Sequence, residues 1–311
     1  MIRFFHRPLH KAKLSDTLTM VSFITINYNA AALTLQCVAS ITQQLQGTDY
    51  EIIIVDNDSQ PQDCQHLSDA LPDDCHLIRS RQNIGFGGAN MLGANFAKGD
   101  FLCFINNDVV LTEDCVTPLV DYLKQHDHVG CITPQQYDAE GHFVRSFNHE
   151  NSILTKVVPK GLLERWFPRR YPSRAKLHEK PIVVHNINGA FMLFPTSVFW
   201  QCGGFDLNLF LYSEEYDIAM RLKQIGKVCV VEPTYRFTHL QGQSAGRTKS
   251  LSRRESYISG IYCYQKYHSN WLFPIYKLVI LLRLIPHVHD WYVIPAIICG
   301  NSLSRSMRHR L

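Results

Sequence analysis

Four carboxylates lie in the segment GGFDLNLFLYSEEYD, residues 203–217. An unpaired carboxylate is costly to bury among apolar side chains, so this cluster favours an active-site wall. Acids that open an amphipathic helix, with Arg221 further along it, would equally complement the helix dipole and form a local ion pair. The segment alone leaves both interpretations open. The four acids are Asp206, Glu214, Glu215 and Asp217.

Polar side chains also follow four apolar runs in the first third of the chain. The carboxyl ends of parallel strands face one crevice, so these residues are expected to form one pocket. Such a pocket suits a nucleotide, because Asp56 can accept a hydrogen bond from the imide N–H of uracil or thymine and Tyr28 can stack on the ring. Taken singly, each residue is equally an ordinary turn or cap residue. The four polar ends are residues 25–29, 56–59, 83–90 and 106–108.

Two of these ends indicate particular contacts. The run NIGFGGANMLGAN, residues 83–95, resembles a dinucleotide-binding glycine motif but follows the third strand instead of the first. Its glycines allow the backbone to close over a ribose or sugar, with Asn83 and Asn90 as polar contacts. Asp108 ends the run FINND, where a carboxylate can hold Mg²⁺ or Mn²⁺ against a ligand diphosphate; a cap is the alternative.

An α/β scaffold is needed to bring these residues together. Strand-like apolar runs alternate with helix-compatible stretches from Val21 to Asp108, which predicts a mostly parallel sheet buried on both faces. Beyond it we expect a helix over 117–126, a strand over 129–138 that leaves the sheet, and a long irregular loop or lid over 142–181. A strand over 183–195, a helix ending at Ile225 and a strand over 227–233 should follow, and His239 is expected in the loop after them.

Composition is typical of one large domain with an appendage. The chain has 311 residues, of which 46% are hydrophobic and 19% charged. Its ten cysteines include no Cys-x-x-Cys pair, which indicates reduced thiols, and no signal-peptide-length apolar stretch follows the N-terminus, which disfavours secretion. We expect a basic leader over 1–19, left open as a flexible segment or a start-site extension before Met20, a catalytic domain over 20–245, and a basic, apolar helical region over 246–311.

The C-terminal region is both basic and apolar. Residues 247–311 contain ten Lys or Arg and two acids, and charges interrupt its apolar run LFPIYKLVILLRLI, residues 272–285. The interruptions disfavour a transmembrane helix. The run is expected either to lie in a membrane interface with its cations near anionic headgroups, which the pattern favours, or to pack as a buried helix.

Six motifs occur in a characteristic order. They are ITINYN, IIVDNDS, NIGFGGAN, FINNDV, GAFML, and GGFDLNLFLYSEEYDIAMR followed by Gly226, Pro233 and His239. Together they resemble inverting glycosyltransferases of family 2, which have the GT-A fold, and most of all their bacterial rhamnosyltransferase-like branch. The resemblance covers residues 20–245.

The resemblance implies that an acceptor hydroxyl displaces a nucleoside diphosphate from a sugar with inversion. Glu215 would be the general base, with Glu214 as runner-up, and His239 would complete a metal site with Asp108. Asn107 belongs to an Asn106-Asn107-Asp108 run that replaces the family's usual Asp-x-Asp and leaves a single carboxylate. Donor contacts are assigned to Thr25, Tyr28 and Asp56 for the base, to Asn83, Gly85, Phe86 and Asn90 for the ribose and sugar, and to Asn107 and Asp108 for the diphosphate.

The implied reaction is the addition of rhamnose or a similar sugar, from a dTDP- or UDP-sugar, to a lipid-linked glycan in surface-polysaccharide assembly. The Gln-x-x-Arg-Trp signature of processive relatives is absent, which favours one sugar per binding event. We expect a peripheral protein on the inner face of the cytoplasmic membrane, without a nucleic-acid partner; the oligomeric state is left open. The alternatives are a sugar-1-phosphate nucleotidyltransferase and a non-catalytic nucleotide-sugar binding protein.

Overall fold

The computed structural model describes residues 19–240 and 249–310. The expected leader, apart from residue 19, and the expected boundary at 245/246 lie outside the described residues. The strands are β1 Met20–Asn27, β2 Asp49–Asn57, β3 Cys75–Ser80, β4 Phe101–Ile105, β5 Val109–Val110, β6 Val129–Tyr137, β7 Phe147–Asn148, β8 Ile182–Val184, β9 Asn186–Ile187, β10 Phe191–Pro195 and β11 Val228–His239.

The described helices flank these strands and continue past them. They are α1 Ala31–Gln44, α2 Pro61–Ala70, α3 Gly85–Ala94, α4 Val116–Gln125, α5 Ile153–Val157, α6 Lys160–Trp166, α7 Thr196–Gln201, α8 Glu214–Gln224, α9 Lys249–Tyr267, α10 Phe273–Leu284 and α11 Ile294–Ile298. Short 3₁₀ turns cover Asn270–Leu272, Val288–Val293, Ser302–Arg305 and Met307–Arg310.

A nine-stranded sheet forms the centre of the protein, in the order β3-β2-β1-β4-β10-β6-β11-β5, with β8 also paired to β11. The first four strands in this order are parallel, as the βαβ pattern predicts. β10 is antiparallel to both β4 and β6, so the sheet is mixed. The predicted α/β architecture with a mostly parallel sheet is confirmed.

Both faces of the sheet are covered, which accounts for the continuous apolar runs of its central strands. Neighbouring residues of β1 point to opposite faces: Phe23 joins a core with α1 and α4, and Ile24 joins a core with α3, α7 and α8. The carboxyl ends of β1 and β2 therefore have a helix layer on each side. Their polar residues lie at the edge between the two layers.

Four expectations about residues 129–239 are wrong, and the first three concern β6, residues 142–181 and His239. β6 does not leave the sheet; it lies between β10 and β11 and is buried over all but its last residue. Residues 142–181 are not an irregular loop, because they contain β7, α5 and α6. His239 is not in a loop but ends β11.

The segment 183–195 is likewise three short strands, β8 to β10, instead of one. Local periodicity misses these elements because they are short, or because non-local strand pairing decides their conformation. The polar stretch that follows Val231, for example, stays in β11 because Arg236 to Thr238 pair with β6.

The C-terminal helices form a third core. Ile261 and Tyr264 of α9 pack with Tyr276 and Ile280 of α10, and the rings of Tyr264 and Tyr276 stack with centroids 3.6 Å apart. The Tyr276 hydroxyl donates to Asn151 Oδ1 at 2.8 Å, which ties this core to the segment before α5. None of the helices in the described ranges has the length and apolar character needed to cross a membrane.

The backbone of Phe210 packs against the glycine-rich turn at Gly85, and substitution of this glycine tests how rigid that contact is. The φ of Gly85 is +77°, and a Cβ there would lie 2.2 Å from the carbonyl oxygen of Phe210, which accepts the backbone N–H of Phe86 at 2.8 Å. Gly141 has a similar φ of +80° with no atom within 4 Å. We expect Gly141→Ala to cost roughly 1–2 kcal/mol of unfolding free energy, the usual cost of a left-handed L-residue. Gly85→Ala should cost roughly 1–3 kcal/mol more, because the Phe210 backbone must move.

Urea unfolding of the two variants measures this difference. Equal losses of stability in Gly85→Ala and Gly141→Ala would show that the contact with Phe210 gives way freely.

Candidate active site

A cavity of about 310 Å³ lies beside the carboxyl end of β4 and the start of α8. Strand, loop and helix residues that are distant in the sequence line it. Its lining includes Phe86, Asn106, Gln136, Val144, Asn188, Tyr212, Glu214, Glu215 and His239.

Three side chains form a hydrogen-bonded chain at one wall of the cavity. His239 Nε2 lies 2.9 Å from Asp108 Oδ1, and Gln136 Nε2 lies 3.0 Å from His239 Nδ1. A neutral imidazole that donates from Nε2 and accepts at Nδ1 satisfies both contacts. The sheet creates this arrangement, because β11 pairs with β5 so that His239 lies opposite Val109. The backbone N–H of Leu240 also donates to the Asp108 carbonyl at 2.8 Å.

Asp108 and His239 suit a divalent cation. A carboxylate oxygen and an imidazole nitrogen are ligands for Mn²⁺ and related ions. Asp108 Oδ1 and His239 Nε2 lie 2.9 Å apart, so both atoms could contact one ion bound between them.

Gln136 gives a second observation in favour of a metal, since its Oε1 is buried without a hydrogen-bond partner among residues 19–240 and 249–310. If His239 Nε2 ligated a metal, Nδ1 would carry the proton. Turning the Gln136 amide over would then give that proton an acceptor and give the oxygen a partner.

A second group of metal-type side chains is better explained as a turn. Asp138, Glu140 and His142 are the one set of three or more such groups found within the described ranges. The Asp138 carboxylate accepts the backbone N–H of Glu140 at 3.1 Å and of His142 at 2.7 Å. These bonds lower the pKa of Asp138, and Glu140 and His142 are exposed. The carboxylate therefore stabilises a hairpin turn.

The four acids of residues 203–217 divide into two pairs. Asp217 is fully buried and bound by Arg221, Lys266 and the Tyr267 hydroxyl, each at 2.6 Å. Asp206 accepts from Lys266 and the Tyr262 hydroxyl at 2.7 Å, and although burial opposes the shift, these bonds lower its pKa to about 2. Both side chains therefore hold α8 and its preceding turn against α9.

The other two acids face the cavity at the start of α8. Tyr212 and Ser213 just before them have φ of 70° and 69°, an unusual left-handed pair for non-glycine residues that is found mostly at functional sites. Glu214 is buried, whereas Glu215 is half-buried. Burial raises the pKa of Glu215 above its ordinary value of 4.5. Glu215 is thus a carboxylate with increased proton affinity.

The predicted base-binding residues lie around a polar hub at the ends of β1 and β2. Asn27 Nδ2 lies within 3.0 Å of Asp56, Ser59 and Asp63, and its Oδ1 accepts from Thr34. Asn107 Nδ2 donates to Thr34 Oγ1 at 3.0 Å, which connects this hub to the Asp108 strand end. Sequence reasoning missed Asn27, because an asparagine at a strand end is equally a turn residue.

The remaining predicted donor residues occupy three environments. Tyr28 is half-buried beside the hub, while Thr25 is fully buried inside β1 with its hydroxyl unpartnered among the described atoms. Asn83 Oδ1 accepts from Asn57 at 3.1 Å and from the Gly85 N–H at 3.0 Å, so it shapes the glycine-rich turn. Asn90 is buried in α3. The predicted residues that line the cavity itself are Phe86, Glu214, Glu215 and His239.

Comparison with known proteins gives a family match. A profile of the family described as "Glycosyl transferase family 2" matches residues 22–203. The N-acetylglucosaminyl-diphospho-decaprenol L-rhamnosyltransferase of Mycobacterium tuberculosis is 24% identical over 237 residues, which cover 71% of this chain and 76% of that protein.

Two solved structures share the fold. GalNAc-T7, determined with UDP, GalNAc and Mn²⁺, matches with a TM-score of 0.61 at 15% identity over 95% of this chain; the match spans 57% of the GalNAc-T7 chain. The mannosyltransferase PcManGT from Pyrobaculum calidifontis, determined with GDP-Man and Mn²⁺, matches with a TM-score of 0.55 at 15% identity. That match covers 93% of this chain and 74% of the other.

The raised pKa of Glu215 predicts an unusual dependence of stability on pH. Because the folded state binds the Glu215 proton more tightly than the unfolded chain does, the contribution of Glu215 to stability falls as pH rises above about 4.5. We expect Glu215→Gln to unfold at higher urea than wild type at pH 7 and to lose that advantage near pH 4.

Glu164 provides a control of opposite sign. Burial opposes the shift, but hydrogen bonds from Arg174 and His149 lower the pKa of Glu164, so Glu164→Gln should be less stable than wild type at pH 7. A Glu215→Gln variant that was destabilised at pH 7 as well would contradict the assigned shift.

Proposed function

The chain belongs to glycosyl transferase family 2, and from that premise we propose that it transfers rhamnose or a similar sugar to a hydroxyl of a lipid-linked glycan. The family and the shared fold make the protein a glycosyltransferase with the GT-A fold that acts on a nucleotide sugar. The identity of the sugar, the acceptor and the residue roles are our proposal.

One observation carries the proposal: the cavity that His239 lines next to Asp108 also contains Glu215, whose pKa is raised by burial. A transferase needs a base for the acceptor hydroxyl and a site that neutralises a leaving diphosphate. The cavity has candidates for both. A binding protein without catalysis would gain nothing from a carboxylate of raised proton affinity, and a nucleotidyltransferase does not need a base at the sugar.

Glu215 is the proposed base. As the acceptor oxygen attacks the anomeric carbon, the carboxylate takes the hydroxyl proton, and the bond to the nucleoside diphosphate breaks on the opposite face of the sugar. The leaving group keeps the bonding electron pair, so the configuration at the anomeric carbon is inverted. A raised pKa brings the carboxylate closer to the working pH, which favours proton transfer. Glu214 is buried beneath it and is the second candidate.

Asp108 and His239 are the proposed ligands of a divalent cation. When bound, that cation would neutralise charge on the donor diphosphate. Gln136 orients the imidazole through Nδ1. The hub around Asn27 and Asp56 would hold the nucleobase of the donor. The Asp56 carboxylate can accept from the imide N–H of a pyrimidine, which favours a dTDP- or UDP-sugar.

The mycobacterial relative supports the choice of sugar and acceptor, since its name specifies rhamnosyl transfer to a diphospho-lipid saccharide. The C-terminal region adds independent support for a lipid acceptor. On α10, Tyr276, Ile280 and Leu284 are buried in the core, while Leu278 and Leu282 are each 54% exposed.

We propose that this second apolar face of α10 lies on the inner surface of an anionic membrane. Arg283 supplies positive charge on the same helix, as an interfacial helix requires. The two expectations for this run, core helix and interfacial helix, would then describe opposite faces of one helix.

A transfer assay tests the role of Glu215 as the general base. The protein should transfer labelled rhamnose from dTDP-rhamnose, or a hexose from a UDP-sugar, to a diphospho-lipid N-acetylglucosamine in the presence of Mn²⁺ or Mg²⁺. Glu215→Gln should lower kcat by roughly 10²–10⁴-fold, the usual contribution of a general base. The exposed Glu179→Gln is the matched control and should retain activity. Full activity of Glu215→Gln would disprove the role of Glu215.

Vesicle binding tests the membrane face. Leu282→Gln should weaken sedimentation with phosphatidylglycerol-containing vesicles by about tenfold, because a leucine side chain contributes about 1.5–3 kcal/mol when buried. Leu207, 53% exposed against 54% for Leu282, gives a matched Leu207→Gln control. If both variants bind vesicles as wild type does, α10 is not the membrane contact.

A further inference from the structure

A group of cationic side chains surrounds α5 and α6, outside the cavity. Its members are Arg145, Lys156, Lys160, Arg174 and Arg283, which we call the cation cluster. Desolvation by the surrounding protein and the charges of Arg174, Arg145 and Arg283 lower the pKa of Lys160, although solvent still reaches its side chain. Burial and the charges of Lys160 and Arg283 lower the pKa of Lys156 to about 8. Lys160 is thus close enough to each of the other four cations to be repelled by it.

Little negative charge compensates the cluster. Glu164 accepts from Arg174 Nε at 3.0 Å, but it shares the same oxygen with His149. Arg145 and Lys160 are exposed, and no acid within the described residues forms an ion pair with either. Uncompensated like charges raise the free energy of a folded protein, and such a group is typical of an anion-binding site.

The cluster connects the cavity to the exposed face of α10. Arg145 follows Val144, which lines the cavity, and its carbonyl accepts from Asn188, another lining residue. At the other end, Arg283 of α10 donates to the carbonyl of Lys156. The cation cluster therefore lies between the cavity and the apolar face of α10.

The segment that carries the cluster is firmly held. Ser152 and Thr155 form a capping box at the start of α5. Glu150, just before it, accepts from Arg170 at 2.9 Å and from the Tyr171 hydroxyl at 2.7 Å. These contacts fix the backbone at the start of α5 before any ligand arrives, which reduces the entropy that this segment loses on binding.

We propose that Arg145 and Lys160 bind the diphosphate of the acceptor lipid, which rests on the proposed function. The acceptor sugar then lies in the cavity near Glu215, the diphosphate lies between Arg145 and Lys160, and the lipid chain continues to the apolar face that contains Leu278 and Leu282. The ion pair between Arg174 and Glu164 partly neutralises the cluster. A phospholipid headgroup offers the same phosphate chemistry, but the position of Arg145 at the cavity rim favours the acceptor.

Two acceptors that differ only in the diphosphate test this proposal. One is a short-chain alkyl-diphosphate-linked N-acetylglucosamine, and the other is the corresponding alkyl glycoside. The double variant Arg145→Gln/Lys160→Gln should raise KM for the diphosphate acceptor at least about tenfold to hundredfold, the factor that a single hydrogen bond to a charged group contributes. The KM for the alkyl glycoside, the KM for the donor and kcat should stay unchanged. Lys124→Gln, an exposed lysine on α4 across the sheet, is the control.

Other results would overturn the assignment. Equal KM changes for both acceptors, or none for either, would show that the two cations do not recognise the diphosphate. Loss of binding to phosphatidylglycerol vesicles with an unchanged acceptor KM would assign the cations to headgroups instead.

Failure of the proposed function is separable from these outcomes. If wild type transfers sugar to neither acceptor, calorimetric titration with the diphosphate acceptor still decides the inference. Weaker binding by the double variant than by wild type supports the diphosphate site, and equal binding rejects it.

Discussion

The contact between Asp108 and His239 is the interaction on which the rest of the site depends. The two residues are 131 positions apart and meet at 2.9 Å only because β11 pairs with β5 at the far end of the mixed sheet. Every strand from β4 to β11 in the sheet order must therefore be in register before the pair exists. The antiparallel β10 makes this possible, since it joins the parallel half, β1 to β4, to the strands that carry His239 and Gln136.

The acids of α8 show how a partly apolar segment can hold four carboxylates. Asp206 and Asp217 are neutralised by Lys266 of α9, which contacts both, and Asp217 also binds Arg221. This fixed pair supports the turn through Tyr212 and Ser213 that presents Glu215 to the cavity. The C-terminal helices therefore position the proposed base in addition to carrying the proposed membrane face, so α9 is part of the active-site scaffold.

Sequence reasoning identifies the residues of the site better than their contacts. The motifs single out Asp56, Asp108, Glu215 and His239, because their order along the chain resembles that of the family. The structure places Glu215 and His239 at one cavity, with Asp108 beside His239. The motifs miss Asn27 and Gln136, since an amide side chain acquires its role only from non-local neighbours. The strand β6 is predicted, but its place inside the sheet is not, and the short helices α5 and α6 are missed altogether. The reason is the same, because pairing and packing across the fold override weak local patterns.

Titration of Mn²⁺ followed by electron paramagnetic resonance, with UDP present, measures whether Asp108 and His239 form the proposed metal site. We expect one tightly bound ion per chain, with affinity reduced at least about tenfold in His239→Gln, the usual effect of altering a metal's coordination environment. The variant His142→Gln, in the exposed turn at Asp138, should bind Mn²⁺ as wild type does. Unchanged affinity in His239→Gln, or lost affinity in His142→Gln, would rule out this metal site.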